Sequence, residues 1–218
     1  HGATSDRVCS SCTSGTDYST TENASSCTAV TGACNGSTEF ESTTPTTTVD
    51  RVCTALTTCV AGEYISTAHG VTTDRECSSC TAGSNYSTTE NASSCTAVTG
   101  ACNGSTEFES TTPTTTVDRV CKALTTCVAG EYISTAHGVT TDRECSSCTA
   151  GTNYSTTENA SSCTAVTGAC NGSTEFESTT PTTTVDRACT PLTTCVAGEY
   201  ISTIHGATSD RECSSCTA

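Results

Sequence analysis

The chain has 218 residues, and Leu, Ile, Val and Phe together fill only 24 of them, with no Trp or Met. A net charge of -15 on so little apolar matter excludes a large hydrophobic core and, taken alone, predicts disorder. The 20 cysteines reverse that expectation, since a chain above about 8–10% Cys is a covalently stapled scaffold made for an oxidising compartment.

Eight basic residues against 23 acidic ones leave no positive footprint for nucleic acid or anionic lipid. No apolar run approaches the roughly 20 residues of a spanning helix, so membrane insertion is not expected. No His cluster accompanies the Cys pairs, which argues against zinc. The expected location is extracellular, either secreted or at the cell surface. With no signal peptide at its start, the chain is read as a mature or partial one.

In chain order the cysteines recur with a period of 68 residues. Residues 1–8 are the end of a preceding repeat, 9–76 repeat 1, 77–144 repeat 2, 145–212 repeat 3, and 213–218 the start of a further one. Repeats 1 and 2 differ at only four positions, among them Asp17 against Asn85 and Thr54 against Lys122. Residues 1–14 nearly reproduce residues 205–218, so the array is expected to continue past both ends.

Each copy divides into three modules that open on a cysteine and carry one aromatic ring. Within repeat 1 these are Cys12 with Tyr18, Cys34 with Phe40, and Cys59 with Tyr64. Two disulfide registers suit this spacing. Short-loop pairing joins cysteines such as Cys77 and Cys80, or Cys95 and Cys102. Long-loop pairing is favoured, because each loop then encloses one ring as a miniature core. It joins Cys12–Cys27, Cys34–Cys53, Cys59–Cys77, Cys80–Cys95, Cys102–Cys121, Cys127–Cys145, Cys148–Cys163, Cys170–Cys189 and Cys195–Cys213. Cys9 and Cys216 are left for partners outside the chain. Each closed loop contributes about 3 kcal/mol by restricting the unfolded chain.

Alternating polar and apolar residues predict short strands at 38–42 and 62–67, and the Thr-rich runs favour extended backbone over helix. The expected fold is small, disulfide-rich and mostly irregular, with short β-hairpins in an elongated, rod-like tandem array.

The run from Cys77 to Cys95, CSSCTAGSNYSTTENASSC, resembles the cysteine-rich modules of tumour necrosis factor receptors and the related ephrin-receptor-like repeats. The likeness lies in C-x2-C-x2-G-x2-Y-S, the 14-residue loop to the next Cys, and the T-x-D-R-x-C ending at Thr116–Cys121. By that resemblance Cys80–Cys95 is the one-disulfide opening module and Cys102–Cys121 a simplified second module, in a ladder-like rod. Two cysteines of a typical second module are missing, and the copies are near-identical where receptor repeats diverge. The resemblance therefore implies a scaffold without implying ligand recognition.

Few residues invite chemistry. His1, His69, His137 and His205 come one per period and are read as solvated loop residues. The Asp-Arg pairs before module-closing cysteines, such as Asp50 and Arg51, are read as turn caps with an Arg reaching a nearby acid or carbonyl. Glu39, Glu41 and Asp50 are carboxylates that calcium could use, but no calcium-binding pattern surrounds them. No cofactor and no enzymatic activity are expected.

Asn-x-Ser sequons recur at Asn23 and Asn35, Asn91 and Asn103, Asn159 and Asn171, with Asn85 and Asn153 added in repeats 2 and 3. The Thr-Pro runs present O-linked acceptors at Thr43, Thr44, Thr46, Thr47 and Thr48. Their equivalents are Thr111, Thr112, Thr114, Thr115 and Thr116, then Thr179, Thr180, Thr182, Thr183 and Thr184. These readings converge on a structural component of a glycosylated extracellular fibre that self-associates or continues end to end beneath a glycan coat. The alternative is the stalk or ligand-binding ectodomain of a receptor or adhesin.

Overall fold

In the computed structural model, residues 7–216 are described; His1 and the outer residues of the flanking segments 1–8 and 213–218 lie outside them. Six strands occupy the first copy: β1 Asp17–Tyr18, β2 Thr28–Ala29, β3 Glu39–Thr43, β4 Val52–Ala55, β5 Glu63–Thr67 and β6 Glu76–Ser79. The second copy repeats them as β7 Asn85–Tyr86, β8 Thr96–Ala97, β9 Glu107–Thr111, β10 Val120–Ala123, β11 Glu131–Thr135 and β12 Glu144–Ser147. The third does so as β13 Asn153–Tyr154, β14 Thr164–Ala165, β15 Glu175–Thr179, β16 Ala188–Pro191, β17 Glu199–Thr203 and β18 Glu212–Ser215. They form nine two-stranded sheets, and no helix occurs among the described residues.

The local cause is readable. In the third module a turn from Val60 to Glu63, closed by Glu63 N–H on the Val60 carbonyl at 3.0 Å, places Gly62 at φ +89°. That is the position where a type II turn requires positive φ. The Thr-, Tyr- and Ile-bearing EYIST strand follows it directly, β5 pairing with β6 as Glu63↔Ser79, Tyr64↔Ser78 and Ile65↔Cys77. A bulge between Ile65 and Thr67 then shifts the register, as one does between Glu41 and Thr43 in the β3–β4 hairpin.

Nine disulfides close these hairpins, and they are the nine long-loop pairs from Cys12–Cys27 to Cys195–Cys213. Cys9 and Cys216 are free and exposed. The buried apolar residues are few: Cys59 and Cys127 at 0% exposure, Cys80, Cys148, Leu124 and Leu192, with Pro45, Pro113 and Pro181. The aromatic rings are not the module cores expected from sequence. Each is half-buried except Tyr200, which is exposed. Hairpins this narrow have one layer and cannot enclose a ring; of the bonded cysteines only Cys59, Cys80, Cys127 and Cys148 are buried, and the rest are half-buried.

The chain divides into two compact units, His1–Gly100 with Thr111–Val120, and Ala101–Ser110 with Cys121–Ala218. Equivalent contacts recur inside each.

One side-chain difference separates otherwise similar hairpins. In the second module of the first copy, Arg51 Nε donates to Glu41 at 2.5 Å and its Nη1 donates to the Thr31 carbonyl at 2.7 Å. Arg187 repeats this with Glu177 and the Thr167 carbonyl. Third modules have Ile65, Ile133 or Ile201 where the glutamate stands, and there Arg75, Arg143 and Arg211 each bury an Nε with no hydrogen-bond partner. Replacing Glu41 by Ile should orphan Arg51 in the same way, because a buried donor without an acceptor loses its hydration uncompensated. The thermal midpoint of the E41I variant is expected to fall, though less than on loss of a disulfide.

Candidate functional site

The functional geometry lies at the module junctions and in the sequons that border them. In the first unit, Gly62 N–H donates to the Ser87 carbonyl at 2.8 Å, and Ser87 N–H donates onward to the Thr115 carbonyl at 2.9 Å. Three successive modules thus share one backbone relay. Ser87 at its centre is 5% exposed and donates its hydroxyl to the Thr89 carbonyl at 3.1 Å. The second unit builds the same relay from Gly130 through Ser155 to Thr183.

Beside the relay, Asn91 N–H donates to the Cys59 carbonyl at 2.8 Å while Cys59 N–H donates to Asn91 Oδ1 at 3.0 Å. Asn159 holds Cys127 identically. Asn23, Asn91 and Asn159 have φ of 57°, 52° and 53°, a left-handed backbone that Asn tolerates better than other non-glycine residues. In the first copy Asn23 Oδ1 accepts from Arg7 Nη1 instead, at 2.7 Å.

Six aspartates tie the linkers between modules to the hairpins. Asp50 accepts from Thr31 N–H at 2.8 Å and from the Thr31 hydroxyl at 2.7 Å, across 19 residues. Asp74 does so with Thr57, Asp118 with Thr99, Asp142 with Thr125, Asp186 with Thr167 and Asp210 with Thr193. The threonine hydroxyl, then its backbone N–H, holds each carboxyl below its ordinary 3.8. Tyr154 donates to Asp186 at 3.4 Å, and burial with that carboxylate raises the phenol's pKa.

The aspartates therefore staple a distant linker while also accepting the N–H of the arginine that follows each of them. A depressed pKa adds stability above the unfolded value, and the gain disappears as pH falls through the folded one. The thermal midpoint should stay level down to roughly pH 4 and drop below it, as all six staples protonate. A midpoint unchanged to pH 2 would count against the staples.

The histidines are half-buried and bonded, not solvated. Nε2 of His69, His137 and His205 lies 2.9 Å from the carbonyl of Gly36, Gly104 and Gly172. The calcium candidates are engaged separately: Glu39 accepts from Asn35 N–H, Glu41 from Arg51, and Asp50 from Thr31. One group of metal-ligating type occurs among the described residues, Cys12, Asp17 and Cys27, but its cysteines are disulfide-bonded and Asn replaces the Asp in the other copies.

Besides Asn23, held by Arg7, the sequons fall into three settings. Asn35, Asn103 and Asn171 are exposed and accept on Oδ1 the N–H of the sequon serine at 3.1, 3.0 and 3.1 Å. Asn91 and Asn159 clamp the preceding module. Asn85 and Asn153 are half-buried in β7 and β13, accept from Thr81 and Thr149 N–H at 2.6 Å, and lead to the buried Ser87 and Ser155.

The Thr-Pro runs are packed loops and not extended tracts. Pro45, Pro113 and Pro181 are buried, and Thr46 bonds Thr48. Thr43, Thr111, Thr115, Thr179, Thr183 and Thr184 are half-buried, while Thr44, Thr46, Thr47, Thr48, Thr112, Thr114, Thr116, Thr180 and Thr182 stay exposed.

Sequence reading missed the relay, because its bonds run through the backbone of Ser87 and Thr115. Each threonine partner of an aspartate staple was hidden in a Thr-rich linker. The only signal was its fixed spacing of 17 or 19 residues from the Asp-Arg pair.

Together these features define a tandem array of disulfide-stapled hairpins joined by repeated junctions. No protein-family model and no curated protein matches the chain. Among solved structures it is similar to a chain of a human RANKL/OPG complex at 17% identity, covering 78% of this chain and 94% of that one, TM-score 0.27. It is also similar to a chain of a mouse RANKL-OPG complex at 15% identity, covering 59% and 98%, TM-score 0.27. No helix among the described residues is long and apolar enough to cross a membrane.

Proposed function

We propose that the chain is a structural component of an extracellular, glycosylated fibre or surface filament. The observation that carries this is the junction itself, built twice from equivalent residues: Gly62, Ser87, Thr115 and Asn91 in one unit, Gly130, Ser155, Thr183 and Asn159 in the other. Identical junctions present the same surface once per copy, which is what lateral packing between like chains uses. Extracellular residence accords with nine disulfides in a chain of 218 residues. Electron microscopy of the native material is expected to show filaments with a regular axial period. Dispersed single globules would overturn the reading.

A second reading rests on a cleft of about 490 Å³ between the second and third modules of the first copy, lined by Glu39, Glu41, Arg51, His69 and Val71. Charged walls beside a valine at 82% exposure suit a protein partner, as in the stalk or ectodomain of a receptor or adhesin. A distinct recognition domain in the full-length gene would favour it over the fibre.

A further inference from the structure

The eight sequons look alike in sequence and differ in what the fold asks of them. We infer that the chain carries N-linked glycan at Asn35, Asn103 and Asn171, and that the sequons of Asn85, Asn91, Asn153 and Asn159 serve the fold instead. This rests on the reading of the chain as an extracellular glycoprotein and gives each copy an equivalent glycan position.

Asn85 and Asn153 have a structural explanation from within the chain. The first copy has Asp17 at the equivalent position, and its carboxylate accepts Thr13 N–H at 2.5 Å just as the amides accept Thr81 and Thr149 N–H. What that position requires is an acceptor oxygen, supplied by Asp or Asn alike. The sequon arises there from Tyr86-Ser87 and Tyr154-Ser155, whose serines are buried in the relay at 5% and 4% exposure.

Asn91 and Asn159 are explained by their left-handed backbone and their clamp. Although exposed as residues, they put Oδ1 and backbone N–H into the seam with the preceding module. The next residues, Ala92 and Ala160, accept Ile65 and Ile133 N–H at 2.8 Å. A glycan on these amides would grow out of that seam. Asn23 shares the backbone, with Arg7 in place of the clamped cysteine.

Nothing comparable accounts for Asn35, Asn103 and Asn171. Their side-chain bonds span only two residues, and the one contact from the next module, a histidine on the carbonyl of the sequon glycine, leaves the asparagine side chain alone. Asp or Ser would accept the same N–H. The amide nitrogen is what Asn adds, and no hydrogen bond uses it. The neighbouring Gly36, Gly104 and Gly172 have nothing within 4 Å of where a Cβ would stand, so the sequon turn is open on that side. In the transfer, Nδ2 bonds to the anomeric carbon of a polyprenyl-diphosphate-linked oligosaccharide. The bond from that carbon to the diphosphate breaks, the diphosphate leaves with its electron pair, and one Nδ2 proton passes to a base of the transferase.

The test is a site map of the full chain secreted from a eukaryotic host. Enzymatic release of N-glycans in heavy-oxygen water converts each carrier Asn to labelled Asp for mass spectrometry. Label at Asn35, Asn103 and Asn171, with little at Asn85, Asn91, Asn153 and Asn159, is the expected result. Comparable label at Asn91 and Asn159, or at Asn85 and Asn153, overturns the assignment while leaving the glycoprotein reading intact. Absence of label everywhere overturns that reading as well. In a second arm, the combined N23Q, N35Q, N103Q and N171Q variant should lose its glycosidase mass shift and keep all nine disulfides. A variant that retains the full shift overturns the assignment.

Discussion

Replacing Cys59 and Cys77 together by Ala is expected to unfold the third module of the first copy outright, not merely weaken it. Stability of roughly 0.05–0.15 kcal/mol per residue gives a module of about 20 residues only about 1–3 kcal/mol of its own. The Cys59–Cys77 bond closes a separation of 18 residues, and cross-linking a loop of that size contributes about 3 kcal/mol. The bond is thus worth as much as the module. Cys59 is also fully buried, so its loss removes the packed centre along with the cross-link. The clamp from Asn91 and the relay from Gly62 to Ser87 both start in this module and should open with it. Modules in contact only with neighbours lose stability only next to the lesion. Limited proteolysis with non-reduced peptide mapping checks this: cleavage should concentrate between residues 60 and 76, while the Cys12–Cys27 loop stays intact. Resistance equal to that of the parent chain would show that the hairpin holds without its bond.

How much of this was legible in the sequence follows from range. Strands at 38–42 and 62–67 were readable because alternation is local, and the structure shifts each by only one residue at an end, to Glu39–Thr43 and Glu63–Thr67. The cysteine spacing limited the registers to two, and a ring in each long loop favoured the one the structure contains. The rings do not form enclosed cores, however: Tyr18, Phe40 and Tyr64 are half-buried, and of the cysteines bonded around them only Cys59 is buried. The junctions were not legible. Ser87, Thr115 and Gly62 meet through backbone groups that every residue possesses, and nothing in the letters marks which serine of a Ser-rich chain is buried. Nor could sequence sort the sequons, for Asn35 and Asn91 differ chiefly in backbone φ and in a partner 32 residues away.

Gly130→Ala should damage the junction by more than backbone strain, and the chain contains its own control. Gly130 and Gly198 are equivalent positions with φ of +91° and +92°, so an alanine at either meets the same left-handed strain, about 1–2 kcal/mol. Their surroundings differ. A Cβ on Gly130 would stand 3.0 Å from Thr183 Oγ1, 3.1 Å from Thr184 Cγ2 and 3.4 Å from Thr183 Cβ, while one on Gly198 meets nothing within 4 Å. Thr183 has little freedom to retreat, because its carbonyl accepts Ser155 N–H at 2.9 Å in the relay. Overpacking of that kind adds about 1–3 kcal/mol. The readout is amide hydrogen exchange at Ser155 and Gly130. Ser155 should lose protection by roughly ten- to a hundredfold in G130A, following from that added cost at about 1.4 kcal/mol per tenfold. In G198A the Ser155 amide should exchange as in the parent. Gly62→Ala should act like Gly130→Ala, since Thr115 and Thr116 crowd it at the same 3.0 and 3.1 Å. Equal effects of G130A and G198A on Ser155 would mean that the three-module relay does not depend on close approach at the glycine. The repeated junction would then rest on the Asn159 clamp and the neighbouring bond from Ile133 to Ala160, which makes this pair of variants the sharpest measure of what joins one module to the next.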